Sequence, residues 1–311
     1  KILPRLDHKL KEFADIKFGI KTGANKFFYM KDVSHQFNAD LLTNPNKFKD
    51  LPSDIKTKED LKRYGLIYIE NEAKERFIIN AKDVKPLIRS PKEIRNYLIP
   101  KPTILCLYTN NPEEFTKRYI KWGESKGYHK RPTCRNRRVW YILSEFKPSR
   151  ILLPMSWMDI MYIPLAEDPV LCDARLYTLY SKIEEDKIWL YLNSTLFYLT
   201  VELYCRWLGG GATDIKVEDY EDMPVPDLSK IKIDYDPSSL LKREPLIYYK
   251  EVKQRDRIEL DKAVLRALGF KDEELDTLVG ELHKAFIEVV EDRLIKADRP
   301  LKRLEDDDQH N

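Results

Sequence analysis

The 311-residue chain sets 55 Lys or Arg against 52 Asp or Glu, and its length suits one large domain or two ordinary ones. No run approaches the roughly 20 apolar residues of a membrane helix and no charged-then-apolar leader opens the chain, so membrane-spanning and secreted classes are not expected and a cytoplasmic protein is. The near-balanced total hides an asymmetry, because residues 1–150 hold 33 basic and 18 acidic side chains whereas residues 151–311 hold 22 and 34. A mild overall charge therefore says nothing against a polyanionic partner, since the relevant field is local and decays over about 8–10 Å at physiological salt. Cys106, Cys134, Cys172 and Cys205 are widely spaced and form no C-x-x-C pair, the pattern of reduced thiols.

Lys1 and the opening KILPRLDHKLKEFADI read as the interior of a longer polypeptide. Ala14 to Met30, ADIKFGIKTGANKFFYM, predicts a β-hairpin turning at Gly23-Ala24-Asn25. Its loop offers Lys21, Thr22, Asn25 and Lys26 as donors to a phosphate or base, or is an ordinary polar turn; the G-x-x-x-x-G-K-[ST] spacing of a nucleotide-binding loop is absent. Residues 31–63 read as a polar insertion with a short helix near Lys58 to Tyr64. Strands are expected at Leu66 to Glu70, Arg76 to Asn80 and Tyr97 to Tyr108, with a short helix starting at Ser90-Pro91.

Lys117 to Tyr141, KRYIKWGESKGYHKRPTCRNRRVWY, opposes nine Lys or Arg with Glu124 alone and interleaves Tyr119, Trp122, Tyr128, Trp140 and Tyr141. This is the composition of a polyanion-binding segment. Gly123, Gly127 and Pro132 interrupt both helical and strand periodicity, so the central charges are expected on an irregular loop between ordered arms. Lys126, His129, Lys130, Arg131, Arg135, Asn136, Arg137 and Arg138 are the candidate contacts, while Trp140 and Tyr141 open the next strand as core residues. His129 and Cys134 lack the second pair that a zinc site needs.

Val139 to Leu143, Arg150 to Trp157, Asp159 to Leu165 and Val170 to Lys182 read as strands, with Pro148, Pro154, Pro164 and Pro169 marking edges or bulges. Asp186 is expected to cap one apolar helix, Lys187 to Leu208, buried against the sheet. Arg206 closes it and Gly209-Gly210-Gly211 ends it or lets a phosphate approach. Asp214 to Pro226 supplies a final strand, a helical turn and an exit. After a linker, Pro237 to Pro245, one helix runs to Leu268 with Leu260, Val264 and Leu268 on one face. A second, Asp272 to about Lys296, repeats Leu275, Leu278, Leu282, Phe286, Val289 and Leu294. The expected architecture is α+β: a mixed twisted sheet with a buried helix over 1–236, a C-terminal helical hairpin over 237–300 and a disordered acidic tail over 301–311.

Catalytic tools are missing. There is no N-P-P-Y or D-P-P-Y segment, no glycine fingerprint after a strand and no G-x-S-x-G. Pro52, Asp54, Glu72 and Lys74 can be strung into a loose P-D…E-x-K of a Mg²⁺-dependent nuclease, which stays open as an alternative. His8, His35 and His283 read as solvated surface.

GIKTGANKFFYM, VKPLIRSPKEI, YIKWGESKGYHKRPTCRNRRVWY, LNSTL and GGGATDIKVEDYEDMPVP, in that order, resemble the C-terminal target-recognition region of N6-adenine DNA methyltransferases of the large restriction-modification, type IIG-like kind. The G-I-x-T-G opening and the G-A-T with its V-P exit also resemble recognition domains of type I specificity subunits. The resemblance spans nearly the whole chain, including RIELDKAVLRALGF. It implies double-stranded DNA as one partner and an N-terminal methyltransferase domain or modification subunit as another. It also implies S-adenosylmethionine in the parent enzyme with no cofactor and no catalysis in this segment. The target adenine would be flipped into the parent's pocket. Lys and Arg would fix register on phosphates while a subset of Asn25, Arg135, Asn136, Arg137 and Arg138 reads base edges, with Arg206 and Thr213 completing the contact set. A stand-alone specificity or scaffold subunit is the remaining alternative.

Overall fold

The computed structural model describes residues 1–301 except Lys49 and Ser144, so the tail expected to be disordered lies almost wholly outside the described residues. Ten strands form one mixed sheet: β1 (Ala14–Phe18), β2 (Tyr29–Asp32), β3 (Leu66–Asn71), β4 (Arg76–Asn80), β5 (Val84–Ile88), β6 (Leu98–Ile99), β7 (Ile104–Leu107), β8 (Ser149–Pro154), β9 (Leu165–Cys172) and β10 (Leu176–Ser181). Their order is β1-β10-β8-β9-β5-β7-β2-β3-β4, with β6 beside β9. Only the β9 pairings with β5 and β6 are parallel. Pro169 falls where the β9–β8 register shifts, as a residue without an N–H should. Among the described residues no helix is long and apolar enough to cross a membrane.

The α+β class and mixed sheet match the expectation, but several local readings do not. Ala14 to Met30 is no hairpin: β1 pairs with β10, β2 pairs with β7 and β3, and five strands separate them. The chain crosses over because Asn25–Phe28 winds into a helical turn, initiated where the Ala24 N–H donates to the Thr22 hydroxyl at 3.0 Å. Gly123 breaks nothing. It lies inside α1 (Glu114–Ser125), where an added Cβ would stand 2.5 Å from Phe27 Cε2, so glycine lets the helix close on the sheet. Val139 to Leu143 forms no strand.

The single apolar helix expected over Lys187 to Leu208 is two, α2 (Glu185–Leu192) and α3 (Thr195–Tyr204). Ser194 starts the second by accepting from the Phe197 N–H at 3.2 Å. Asp186 lies within α2, whose N-cap is Glu184. Arg206 consequently falls in a strand, Arg206–Trp207, and the triple glycine turns it back onto Thr213–Asp214 with Gly211 at φ +79°. Ser156–Trp157 completes this three-stranded sheet.

Four apolar groupings position everything else, one of them around Ile88, Ile99, Leu152 and Cys172 on β5, β6, β8 and β9. At the β1-β10-β8 end, Leu153, Leu179, Trp189 and Tyr198 form one continuous core with Leu260, Leu282, Phe286 and Val290 from α4 (Arg255–Ala267) and α5 (Asp272–Lys296). Both C-terminal helices were expected, though Val290 takes the buried position in place of Val289. The segment expected as a linker contains a helical turn, Ser238–Leu241, with Leu240 fully buried. At the opposite end, Phe27, Phe28, Tyr29, Ile69, Ile79, Leu87, Tyr119 and Tyr128 form a second core. The polar insertion closes on its own small core around Phe37, Phe48, Leu61 and Tyr68.

Buried ions stitch the first core. Glu251 accepts from Arg243 Nη1 and Nη2 at 2.8 and 2.7 Å, from fully buried Arg257 Nη2 at 3.0 Å and from the Tyr97 hydroxyl at 2.8 Å. Burial opposes its ionisation, yet the Arg243 hydrogen bonds and the charge of Arg257 hold its pKa down to about 2. His283 is not solvated surface. Its Nε2 lies 2.7 Å from Oδ2 of buried Asp261, which also accepts from the Thr195 hydroxyl at 2.6 Å.

Candidate nucleic-acid interface

The two loops singled out in the sequence, more than a hundred residues apart, meet at the second core. Arg137 joins them by donating to the carbonyls of Lys21 at 2.6 Å, Thr22 at 2.9 Å and Trp140 at 3.2 Å. Gly23 then packs its backbone on Thr133: at φ +78°, an added Cβ would lie 2.5 Å from Thr133 Cβ. Gly23→Ala is therefore expected to destabilise the chain by about 1–3 kcal/mol through strain and displacement of this loop. Chemical denaturation beside the unaltered protein measures it.

The interleaved aromatics are anchors. Phe27 stacks on Tyr119 with centroids 4.8 Å apart and meets Trp140 at 4.7 Å, while Trp122 packs on Phe77 at 4.8 Å. Glu124, the one carboxylate of the basic stretch, accepts from the Trp140 indole at 3.1 Å. The segment after α1 is ordered by short helical turns, Tyr128–Lys130 and Pro132–Arg135, with Gly127 at φ +78° between them and α1. It is thus less irregular than its glycines and proline suggested.

With the anchors accounted for, the cations sort by position. Lys21, Lys26, Lys130, Arg131, Arg135 and Arg138 are exposed, as is Asn136. Among the described residues none of those six cations has a carboxylate within 4.0 Å. Arg131 lies over the Tyr128 ring at 4.8 Å. Lys126 is exposed but reaches Glu75 at 3.5 Å. Asn25 is half-buried, and the Thr22 hydroxyl donates to its amide oxygen. His129 is half-buried against Trp140, with a buried Nδ1 that has no hydrogen-bond partner.

Three expected contacts need correcting, and a fourth, Arg206, lies on a different element from the two loops. Thr22 is 1 % exposed and shapes its own turn, so it presents no side chain to a ligand. Arg137 spends its guanidinium on three backbone carbonyls, which makes it a positioning residue. Thr213 is fully buried, donating at 3.0 Å to Glu202, itself paired at 2.8 Å with fully buried Arg293. Burial raises the Glu202 carboxyl above the ordinary range against the pull of Arg293 and Thr213. Arg206 is exposed but sits on the small sheet, 3.5 Å from Asp214, on elements belonging to the first core. Burial pushes the Cys134 thiol up, with Arg137 and Arg131 pulling it down; the thiol lies 3.5 Å from the Thr22 carbonyl, beneath the loop.

The residues of the nuclease alternative have separate commitments. Asp54 in the insertion accepts from Tyr64, Glu72 pairs with Arg89 at 2.8 Å, and Lys74 lies 3.5 Å from Glu70. Among the described residues no three His, Cys, Asp or Glu side chains are grouped to hold a metal ion.

Comparison with curated proteins gives no match. Among solved structures, 17 chains match. One is the crystal structure of the type IIG restriction endonuclease BpuSI, at 12 % identity and a TM-score of 0.55, covering 94 % of this chain and 32 % of that one. At that identity the likeness is one of fold, and the chain spans about a third of the BpuSI chain. A family model described as the C-terminal domain of the type II methyltransferase M.Eco57I matches residues 41–258, in agreement with the motif order. On that match, which covers most of its length, the chain belongs to the family of M.Eco57I-type methyltransferase C-terminal domains.

Proposed function

We propose that this chain recognises double-stranded DNA for an adenine-N6 methyltransferase of a cytoplasmic restriction-modification system. The S-adenosylmethionine chemistry would reside in a separate catalytic domain or modification subunit. The observation that carries this is the junction of the Lys21–Lys26 and Lys126–Arg138 segments through Arg137, which joins two segments carrying six exposed cations that have no carboxylate within 4.0 Å among the described residues. Such a surface grips phosphates, and Arg135, Asn136 and Arg138 stand among the grips with the donor sets that read guanine and adenine edges.

The test is equilibrium binding of the full chain to a labelled random-sequence duplex across a salt series. Each phosphate neutralised contributes about −0.9 to the slope of log K against log salt, so five or six contacts predict a slope of about −4.5 to −5.5. Selection from a randomised duplex library then tests base reading. Absent or salt-insensitive duplex binding would falsify the proposal.

A further inference from the structure

If the chain grips DNA as proposed above, a segment outside both loops joins the grip. Lys74, in the turn between β3 and β4, has φ of 65°, a left-handed conformation that Gly, Asn and Asp ordinarily occupy. Strained side chains of this kind persist where the surroundings over-determine them. Here they do: the Lys74 N–H donates to the Asn71 carbonyl at 2.9 Å, the Asn71 N–H to the Glu75 carbonyl at 3.0 Å, and the Glu75 N–H to Asn71 Oδ1 at 3.0 Å. Asn71, 2 % exposed, also donates to the Tyr119 hydroxyl at 3.3 Å, which donates in turn to the Phe27 carbonyl at 2.5 Å. One tyrosine of α1 therefore fixes this turn to the helical turn that carries Lys26. Lys126 reaches the same turn through Glu75.

Between the turn and Lys26 lies a cavity of about 290 Å³ whose charged lining is Lys26, Lys31, Lys74, Arg89, Glu70 and Glu72. The two carboxylates do not neutralise it. Glu72 is matched by Arg89 at 2.8 Å. Glu70 shares Arg76, 3.0 Å away, with Asp40 at 2.8 Å, Arg76 itself not lining the cavity, and is held only loosely by Lys74 at 3.5 Å, so four lining cations face two lining carboxylates. Lys26 and Lys31 are exposed and, among the described residues, have no carboxylate partner; the Lys74 side chain is 80 % exposed. We propose that this cavity is a second phosphate subsite, in which Lys26, Lys31 and Lys74 hold a backbone phosphate of the DNA gripped by the two basic loops. The left-handed turn would then aim Lys74 at that phosphate without the conformational search of a free lysine.

The experiment compares the unaltered chain, Lys31→Ala, Lys31→Ala/Lys74→Asn and Arg135→Ala/Arg138→Ala on the labelled random-sequence duplex across the same salt series, with a thermal midpoint for each. Asparagine tolerates the left-handed turn, so Lys31→Ala/Lys74→Asn should keep or raise the midpoint. It should bind about tenfold more weakly and lose up to about 0.9 from the salt slope, the contribution of the one phosphate at stake, and Lys31→Ala alone, which leaves the turn untouched, a smaller part of the same loss. Unchanged slopes in both variants, with the unaltered chain binding and Arg135→Ala/Arg138→Ala impaired, overturn the subsite and leave the DNA-binding function standing. No salt-sensitive binding by the unaltered chain overturns both.

Discussion

Replacing Arg135 and Arg138 by glutamate is expected to abolish duplex binding while leaving stability within about 0.5 kcal/mol of the unaltered chain. Both side chains are exposed and, among the described residues, have no carboxylate within 4.0 Å, so the described fold draws no ion pair from them. On the proposed function, their reversal removes two contacts to the duplex and introduces two repulsive charges on the surface proposed to face it. Arg137, two residues from one and adjacent to the other, is expected to behave oppositely. Its guanidinium satisfies three backbone carbonyls that hold the two loops together. A charged donor–acceptor bond contributes about 1.5–3 kcal/mol and the three act on one group. Arg137→Ala should therefore cost about 2–4 kcal/mol in chemical denaturation. Its binding defect should shrink as the protein is stabilised by lower temperature. A normally stable Arg137→Ala protein that fails to bind would instead place Arg137 on the DNA.

The second large effect is expected in the buried network on Glu251. Glu251→Ala leaves Arg257, fully buried, with the Tyr97 and Tyr198 hydroxyls as its remaining side-chain partners, and removing one member of a buried ion pair costs about 3–5 kcal/mol. Glu251→Leu/Arg257→Met, which takes out both charges, should recover much of that loss. A single variant as stable as the unaltered chain would refute the assignment. The pH dependence follows from the sign of the shift. The folded-state pKa is held below the unfolded value, so stabilisation is fully present above about pH 4.5 and is lost as pH falls toward 2. Acid denaturation of the Glu251→Gln protein should be correspondingly shallower through that window.

Composition and periodicity revealed the class of fold, most strands, both C-terminal helices and the two loops that meet. Strand partners were hidden because a period of two says that a segment pairs without saying with what. ADIKF and FFYM look like a hairpin until β10 and β7 claim them. The Lys187–Leu208 error had a readable signal, since Asn193-Ser194 supplies the N-cap chemistry that starts a new helix inside an apolar run. Arg137 carried no such signal. In the string RNRR nothing separates a guanidinium that binds carbonyls from one that faces solvent, because the difference lies in a loop more than a hundred positions away. Lys74 was visible only as part of a chance-prone E-x-K triplet, and its backbone angle, which no composition encodes, changes its meaning.

The two large apolar cores at opposite ends of one sheet bear on how such a protein diversifies. The end that carries the basic loops is packed by its own aromatics, and a separate apolar grouping on the middle strands, to which Ile88 and Cys172 of the β5–β9 pairing belong, is distinct from both large cores. The two cores share no buried residue, so substitutions in the exposed loops at one end are expected to leave the packing of the other unchanged. A change of binding preference at the loop-bearing end would thus not require the core around the C-terminal helices to be rebuilt.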